Sequence, residues 1–165
     1  MSVSKKLNVS GTSLVFVTTT IENWEPLFND KEIAKIIALQ LNETATFFNV
    51  SIVGYVIMPN HIHMLLGLKN YKNLPKFIQS FKSLSSRKVK RLLEVNNFKL
   101  WMRRYDSFVI TLEKQFRIKL EYVHNNPVRQ KLIDNPIDWE FSSAKQWLTD
   151  NTDIVKIDKD FSWIR

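Results

Sequence analysis

Ile52-Val53-Gly54-Tyr55-Val56-Ile57-Met58-Pro59-Asn60-His61-Ile62-His63-Met64-Leu65-Leu66-Gly67-Leu68 is two apolar runs separated by a Pro-Asn break. The pattern predicts a hairpin of two buried strands over 51–68. Side chains two apart on a strand point the same way. His61 and His63 therefore share one face, close enough for their rings to hold one cation, while Ile62, Met64 and Leu66 turn toward a core on the other. They are two of only three histidines in the chain, and imidazole is the commonest protein ligand for metals. Taken alone, the same spacing also describes two ordinary core or surface histidines.

On either side of the hairpin the pattern continues. Leu14–Thr19 is a β-branched run and predicts a strand, and Lys31–Phe48 carries Ile33, Ile36, Ile37 and Leu41 at helical spacing. Leu74–Leu93 predicts a second helix and Phe108–Ile110 a short strand. A third helix is expected to run to about Asn125 with Thr111 as its N-cap, after which Pro127 and Pro136 break the regular structure. The order β-α-β-β-α-β with a further helix is the α+β, ferredoxin-like (split βαβ) plan. It implies an antiparallel sheet with helices on one face, an additional C-terminal helix, and the histidine strand in mid-sheet.

The chain has 165 residues and 44% apolar content, enough for one domain over 1–165, with a C-terminal tail from about 149. Twenty-four basic against sixteen acidic residues give a net charge of +8. That balance favours a polyanionic partner, most simply nucleic acid, although a solvated basic surface gives the same count. The absence of cysteine excludes disulfides, thiolate zinc sites and a cysteine nucleophile. No segment reaches the roughly 20 apolar residues of a membrane span. Met1-Ser2-Val3-Ser4-Lys5-Lys6 lacks the apolar region of a secretory signal, so a cytoplasmic location is expected. On the second helix Phe77, Phe81, Leu84 and Leu92 fall on one side of the wheel, with Lys76, Arg87, Lys90 and Arg91 roughly opposite. The basic side suits a phosphate backbone and equally suits plain solvation.

The third helix ends Lys119-Leu120-Glu121-Tyr122-Val123-His124-Asn125-Asn126-Pro127-Val128-Arg129. Residues four apart share a helix face, so Tyr122 and Asn126 project together and His124 points away from them. A phenol can serve as a covalent nucleophile, and an amide oxygen ligates hard cations. If this face docks on the histidine strand, Asn126 completes a three-ligand site with Tyr122 about one turn away. Arg129, just beyond, is a candidate for holding the phosphate nearest a cut. A packing tyrosine and a helix stop at Asn125-Asn126-Pro127 are the plainer alternatives.

Pro59-Asn60-His61-Ile62-His63 and Tyr122-Val123-His124-Asn125-Asn126-Pro127-Val128-Arg129 together resemble the HUH single-strand DNA transposases with one catalytic tyrosine. The closest branch is the REP-associated tyrosine transposases. Leu100-Trp101-Met102-Arg103-Arg104-Tyr105-Asp106 and Pro136-Ile137-Asp138-Trp139-Glu140-Phe141-Ser142-Ser143-Ala144 extend the resemblance, which runs from about Val15 to Leu148. It implies the ferredoxin-like fold, His61 and His63 as paired metal ligands, Asn126 as a third, polar ligand, and Mg²⁺ or Mn²⁺ as the metal. Tyr122 would attack a DNA phosphate, leaving a 5′-phosphotyrosine and a free 3′-OH. The implied substrate is single-stranded, hairpin-forming DNA. One block departs: that branch opens with a Gly-Thr-Trp-Tyr-His-like run, whereas this chain has Gly11-Thr12-Ser13-Leu14-Val15. Two other functions fit the residues, a catalytically idle single-strand nucleic-acid-binding module and a phosphodiesterase that uses metal-activated water. Monomer and homodimer both remain open, as does whether Tyr122 serves its own subunit or a partner's.

Overall fold

Burial along the strand that carries the histidines is two-sided, and that fact organises the molecule. The computed structural model describes residues 11–162; residues 1–10 and 163–165, including Met1–Lys6 and the end of the expected tail, lie outside the described residues. Strands β1 (Ser13–Thr20), β2 (Ser51–Ile57), β3 (His61–Leu68) and β4 (Asp106–Ile110) form one sheet in the order β2-β3-β1-β4. Every neighbouring pair is antiparallel, so the sheet has the ferredoxin-like arrangement with β3 inside it. Helices α1 (Lys31–Phe48) and α2 (Leu74–Leu93) cover one face; α3 (Glu113–Arg129) covers the other, followed by the short α4 (Ala144–Thr149).

On the α1/α2 side, Val15, Val17, Ile62, Met64 and Leu66 pack with Ile37, Leu41, Phe77 and Phe81. On the α3 side, Leu14, Phe16, Val53, Val56 and Leu65 pack with Val123 and the partly buried Leu120. Each fully buried aliphatic side chain contributes roughly 1.5–3 kcal/mol. The second core is why β3 is apolar at Leu65 as well as at Ile62 and Met64. A register shift between Ile52 and Gly54 bulges β2. A Cβ on Gly54 would meet Leu120 Cδ1 at 3.0 Å, so the glycine lets α3 come close to the strand.

α1 and α2 begin and end where their periodicity predicts. Asp30 Oδ1 caps α1 by accepting from Glu32 N at 2.9 Å and Ile33 N at 3.4 Å. The apolar side of α2 differs from the predicted one. Leu74, Phe77, Ile78, Phe81, Ser85 and Val89 are buried, while Leu84 and Leu92 are 36% and 40% exposed. Leu84 lies at the rim of the wheel, and Leu92 has the right phase but sits in the last turn, past the last buried residue.

Both predicted ends of the third helix are corrected. The N-cap is Leu112, not Thr111, and Gln115 Oε1 reaches back to accept from the Thr111 and Leu112 backbone N–H groups. The helix also does not stop near Asn125. It runs through Pro127 to Arg129, because a proline so near the end forfeits one backbone bond only. The true stop is a Schellman-type pair, Leu132 N to Pro127 O at 3.0 Å and Lys131 N to Val128 O at 2.9 Å, with Lys131 left-handed at φ 58. Asn126 is thus fixed inside a helix.

The block Pro136–Ala144 closes the outer edge of β2. Trp139 Nε1 donates to Ile57 O at 2.9 Å and Trp147 Nε1 to Val53 O at 2.8 Å. Between them Ser143 Oγ accepts from Tyr55 N at 2.9 Å, while Ser143 N donates to Tyr55 O at 2.9 Å and Ile57 N to Phe141 O at 2.9 Å. The block Leu100–Asp106 does similar work beside the end of β1. Met102 N donates to Thr20 O at 2.9 Å, and Trp101 Nε1 donates to the buried Ser85 Oγ at 2.9 Å. Among the described residues no helix is long and apolar enough to cross a membrane.

Ser143 Oγ also bonds His124 Nε2 at 2.8 Å, which ties α3 to β2. Ser143→Ala should leave the Tyr55 N–H and the imidazole without partners. We expect a loss of about 2–6 kcal/mol, from roughly 1–3 for each of the two unpaired buried groups, read as a lowered urea midpoint. Trp147→Phe, which frees one carbonyl, should cost about 1 kcal/mol.

Candidate active site

β3 presents His61, His63 and Leu65 to the α3 side. His61 Nε2 lies 3.1 Å from His63 Nε2, and the outer nitrogen of each ring is held by a side chain. Asn60 Oδ1 accepts from His61 Nδ1 at 2.7 Å, while Asn60 Nδ2 donates to Trp24 O at 3.5 Å, which fixes the amide's orientation. His61 therefore carries its proton on Nδ1 and presents a lone pair at Nε2. His63 Nδ1 pairs with Thr18 Oγ1 at 2.7 Å, the residue directly opposite it in the β1–β3 ladder. Burial is the main cause that pushes both imidazoles down from the ordinary 6.5. For His63, His61 and the Lys119 ammonium add to it, and its pKa falls to about 3. Both rings are neutral near pH 7.

α3 brings its own residues to the same place. The Tyr122 ring stands edge-on to His63 with centroids 5.3 Å apart. Phe16 stacks on His63 at 5.3 Å and meets Tyr122 edge-on at 6.0 Å. Tyr122 thus reaches His63 of its own chain. Asn126, one turn on, is 4% exposed, and its Oδ1 is buried with no hydrogen-bond partner. Arg129 lies over the Tyr122 ring at 5.3 Å and Lys119 at 5.7 Å from the ring centre. Lys119, Tyr122, Asn126 and Arg129 follow spacings of three, four and three, one face of the helix. His124 points elsewhere, to Ser143.

These residues fit a divalent cation. Two neutral imidazole nitrogens aim at one another, and a buried amide oxygen on the face carrying Tyr122 lacks a partner. Such an unpaired buried group costs about 1–3 kcal/mol if nothing binds it. Among the described residues there is no cluster of three or more His, Cys, Asp or Glu.

Lys76, Arg87, Lys90 and Arg91 stand apart from this centre. They lie on the solvent side of α2, whose buried side packs on the opposite face of the sheet, and none of the four forms an ion pair among the described residues. Phe16, Thr18, Asn60 and Lys119 are site residues that the sequence pattern does not single out. Helical phase from Tyr122 is the signal that could find Lys119. Thr18 needs the strand register, which the sequence does not display.

Residues 9–126 match the family described as transposase, IS200-like. Over 110 residues the chain is 28% identical to a candidate REP-associated tyrosine transposase of Haemophilus influenzae. The match takes in 61% of this chain and 62% of that relative, under two thirds of either. Two solved structures share the fold. A REP-associated tyrosine transposase bound to a REP hairpin superposes with a TM-score of 0.73 at 17% identity, covering 99% of this chain and 95% of that one. A candidate transposase from Deinococcus radiodurans gives 0.54 at 21% identity over 76% and 97%.

His124, 9% exposed, has its pKa lowered by burial from 6.5 to about 4. The unfolded chain takes up that proton first, so stability is intact above pH 6.5 and falls as the pH drops toward 4. Denaturant titrations at neutral pH and at about pH 4.5 should differ by roughly 2–3 kcal/mol from this residue. An unchanged midpoint would contradict a buried neutral ring.

Proposed function

The chain belongs to the IS200-like transposase family, and on that footing we propose that it cuts and rejoins single-stranded DNA through a covalent link to Tyr122. The observation that carries the reading is the meeting of the Tyr122 ring with the paired imidazoles of His61 and His63 on one side of the sheet. Residues 1–165 serve as one such domain, with 149–165 as its C-terminal tail. The substrate class is single-stranded DNA that folds a hairpin near the cut.

His61, His63 and Asn126 would hold the divalent cation, with Mg²⁺ or Mn²⁺ suited to the oxygen ligand. When bound it neutralises charge on the scissile phosphate and polarises the P–O bond. Thr18 and Asn60 keep the two rings turned so that their Nε2 lone pairs converge. The phenolic oxygen of Tyr122 gives up its proton and bonds to phosphorus. The P–O3′ bond breaks, and the departing 3′ oxygen takes up a proton. Lys119 and Arg129, on either side of the ring, offset the phosphate's negative charge. The phosphodiester energy is conserved in the phosphotyrosine, so attack by a 3′-OH restores the DNA without ATP.

Tyr122→Phe should abolish the covalent protein–DNA adduct on a denaturing gel while leaving DNA affinity within about twofold, since only the attacking oxygen is removed. A phosphodiesterase using water predicts no adduct from the wild-type chain either, so the same gel separates the two chemistries. His61→Ala or His63→Ala should cripple cleavage and weaken Mn²⁺ binding in a calorimetric titration. Asn126→Ala should do less, because water can replace one ligand on a hard cation.

Arg129→Ala should hurt cleavage more than binding. The α2 residues Lys76, Arg87, Lys90 and Arg91 are proposed to bind the phosphates of DNA that continues past the end of the sheet onto its other face. Removing any one of these cations should lower the salt slope of single-strand binding by about 0.7. An unchanged slope in the quadruple alanine variant would place the DNA elsewhere.

A further inference from the structure

Beyond β1 the chain turns through Ile21-Glu22-Asn23-Trp24-Glu25, and two successive residues there are left-handed: Asn23 at φ 58 and Trp24 at φ 57. Asparagine tolerates that region, but a bulky side chain in it is an outlier that local packing must enforce. The usual compensation, burial of the ring, is missing here, because Trp24 is 60% exposed. Trp101, Trp139 and Trp147 each donate their indole N–H to a protein acceptor. The indole of Trp24 has no partner among the described residues. A large aromatic ring is therefore held in a strained turn and offered to solvent, which core packing does not explain.

The turn's location makes it informative. Trp24 N donates to Ile21 O at 3.0 Å, and Ile21 N donates to Asn60 O at 2.9 Å. Trp24 O accepts from Asn60 Nδ2 at 3.5 Å, and the other end of that amide holds His61 Nδ1 at 2.7 Å. One side chain thus separates the backbone of Trp24 from a histidine of the candidate centre. Glu22 N donates to Leu100 O at 2.8 Å, and the Glu22 carboxylate is neutralised by Lys99 at 3.1 Å. Arg103 and Arg104 follow on the same neighbouring segment, two exposed cations set against the carboxylate of Glu25, which forms no ion pair among the described residues. Strained conformations that persist without a packing return cluster at binding and reactive sites.

We propose that Trp24 is a stacking platform for an unpaired nucleobase flanking the phosphate that Tyr122 attacks. The inference rests on the reading of the His61/His63/Tyr122 centre given above. An indole face accepts any base, because every base has a π-face to stack on it. Its role is to seat the splayed strand beside the paired imidazoles rather than to read sequence. Asn60, by binding both the turn and His61, keeps platform and reactive centre in fixed relation.

The test uses the full chain with MnCl₂ and two fluorescein-labelled probes, a (dT)20 strand and a 20-mer of abasic sites with the same phosphates. Trp24→Ala should weaken (dT)20 binding about 5- to 150-fold, the span of one base–aromatic stack. It should leave affinity for the abasic strand unchanged, and Trp24→Phe should recover most of the loss. Equal loss on both probes, or none on either, overturns the proposal. Trp24→Gly separates a stacking role from a structural one. Relief of the left-handed strain should keep its denaturation midpoint at or above that of the wild type while (dT)20 affinity still falls. A lowered midpoint with unchanged affinity means that the ring only packs. Adduct formation with a random-sequence 40-mer pool is the control for the centre itself. A wild-type adduct with no Trp24 effect on the probes removes stacking alone, whereas no wild-type adduct removes the reading of the centre together with it.

Discussion

The register between β1 and β3 is the constraint on which the rest of the molecule depends. It sets Thr18 opposite His63 and Thr20 opposite His61, and it does so in the middle of a sheet buried on both faces. A slip of one residue would turn every side chain of β3 to the other face, sending both histidines into the α1/α2 core and Ile62 and Met64 under α3. The two apolar layers make that slip very costly. The imidazole pair is therefore held by the whole sheet, and the hydroxyl of Thr18 only completes an alignment that the ladder has already made.

That placement shapes the local electrostatics. A chain with net charge +8 puts two imidazoles where burial opposes protonation, with the Lys119 ammonium adding to it at His63, and so keeps both rings neutral in a basic protein. The same ammonium, Lys119, and the Arg129 guanidinium flank the phenol. Cations gathered around neutral donors favour an anionic guest that arrives with its own divalent counter-ion. They disfavour a simple proton site.

Much of this is legible in the sequence, for reasons that differ by element. α1 and α2 are long and strongly periodic, so their limits can be read to the residue. β3 shows its histidine face because a period of two needs no knowledge of partners. α3 departs from its sequence pattern at both ends. Pro127 looks like a stop in sequence, yet a proline in the last turn costs little, and the real stop uses Lys131 where glycine is usual. Leu92 looks buried because a helical wheel records phase and ignores where the packing ends, and Leu84 because it stands at the rim of the apolar side. Thr18 and Asn60 are invisible as partners of the histidines, because such pairings belong to the register and the hairpin turn. The blocks Leu100–Asp106 and Pro136–Ala144 are visible as matches to a family without any sign of their work, which is to donate tryptophan N–H groups and backbone bonds to strand ends and to a helix.

The closure of β2 carries a consequence for synthesis. Its edge carbonyls at Val53 and Ile57 are taken by Trp147 and Trp139, which follow all four strands and α3 in chain order and so leave the ribosome after them. Until they emerge, the sheet and the paired histidines can already stand while one long apolar border lies open, with amide and carbonyl groups free to recruit another nascent strand. A stop codon or a stalled ribosome shortly after α3 would therefore release a product with both histidines and the tyrosine in place and a sticky flank beside them. Such truncated chains should accumulate as aggregates rather than as a smaller working enzyme.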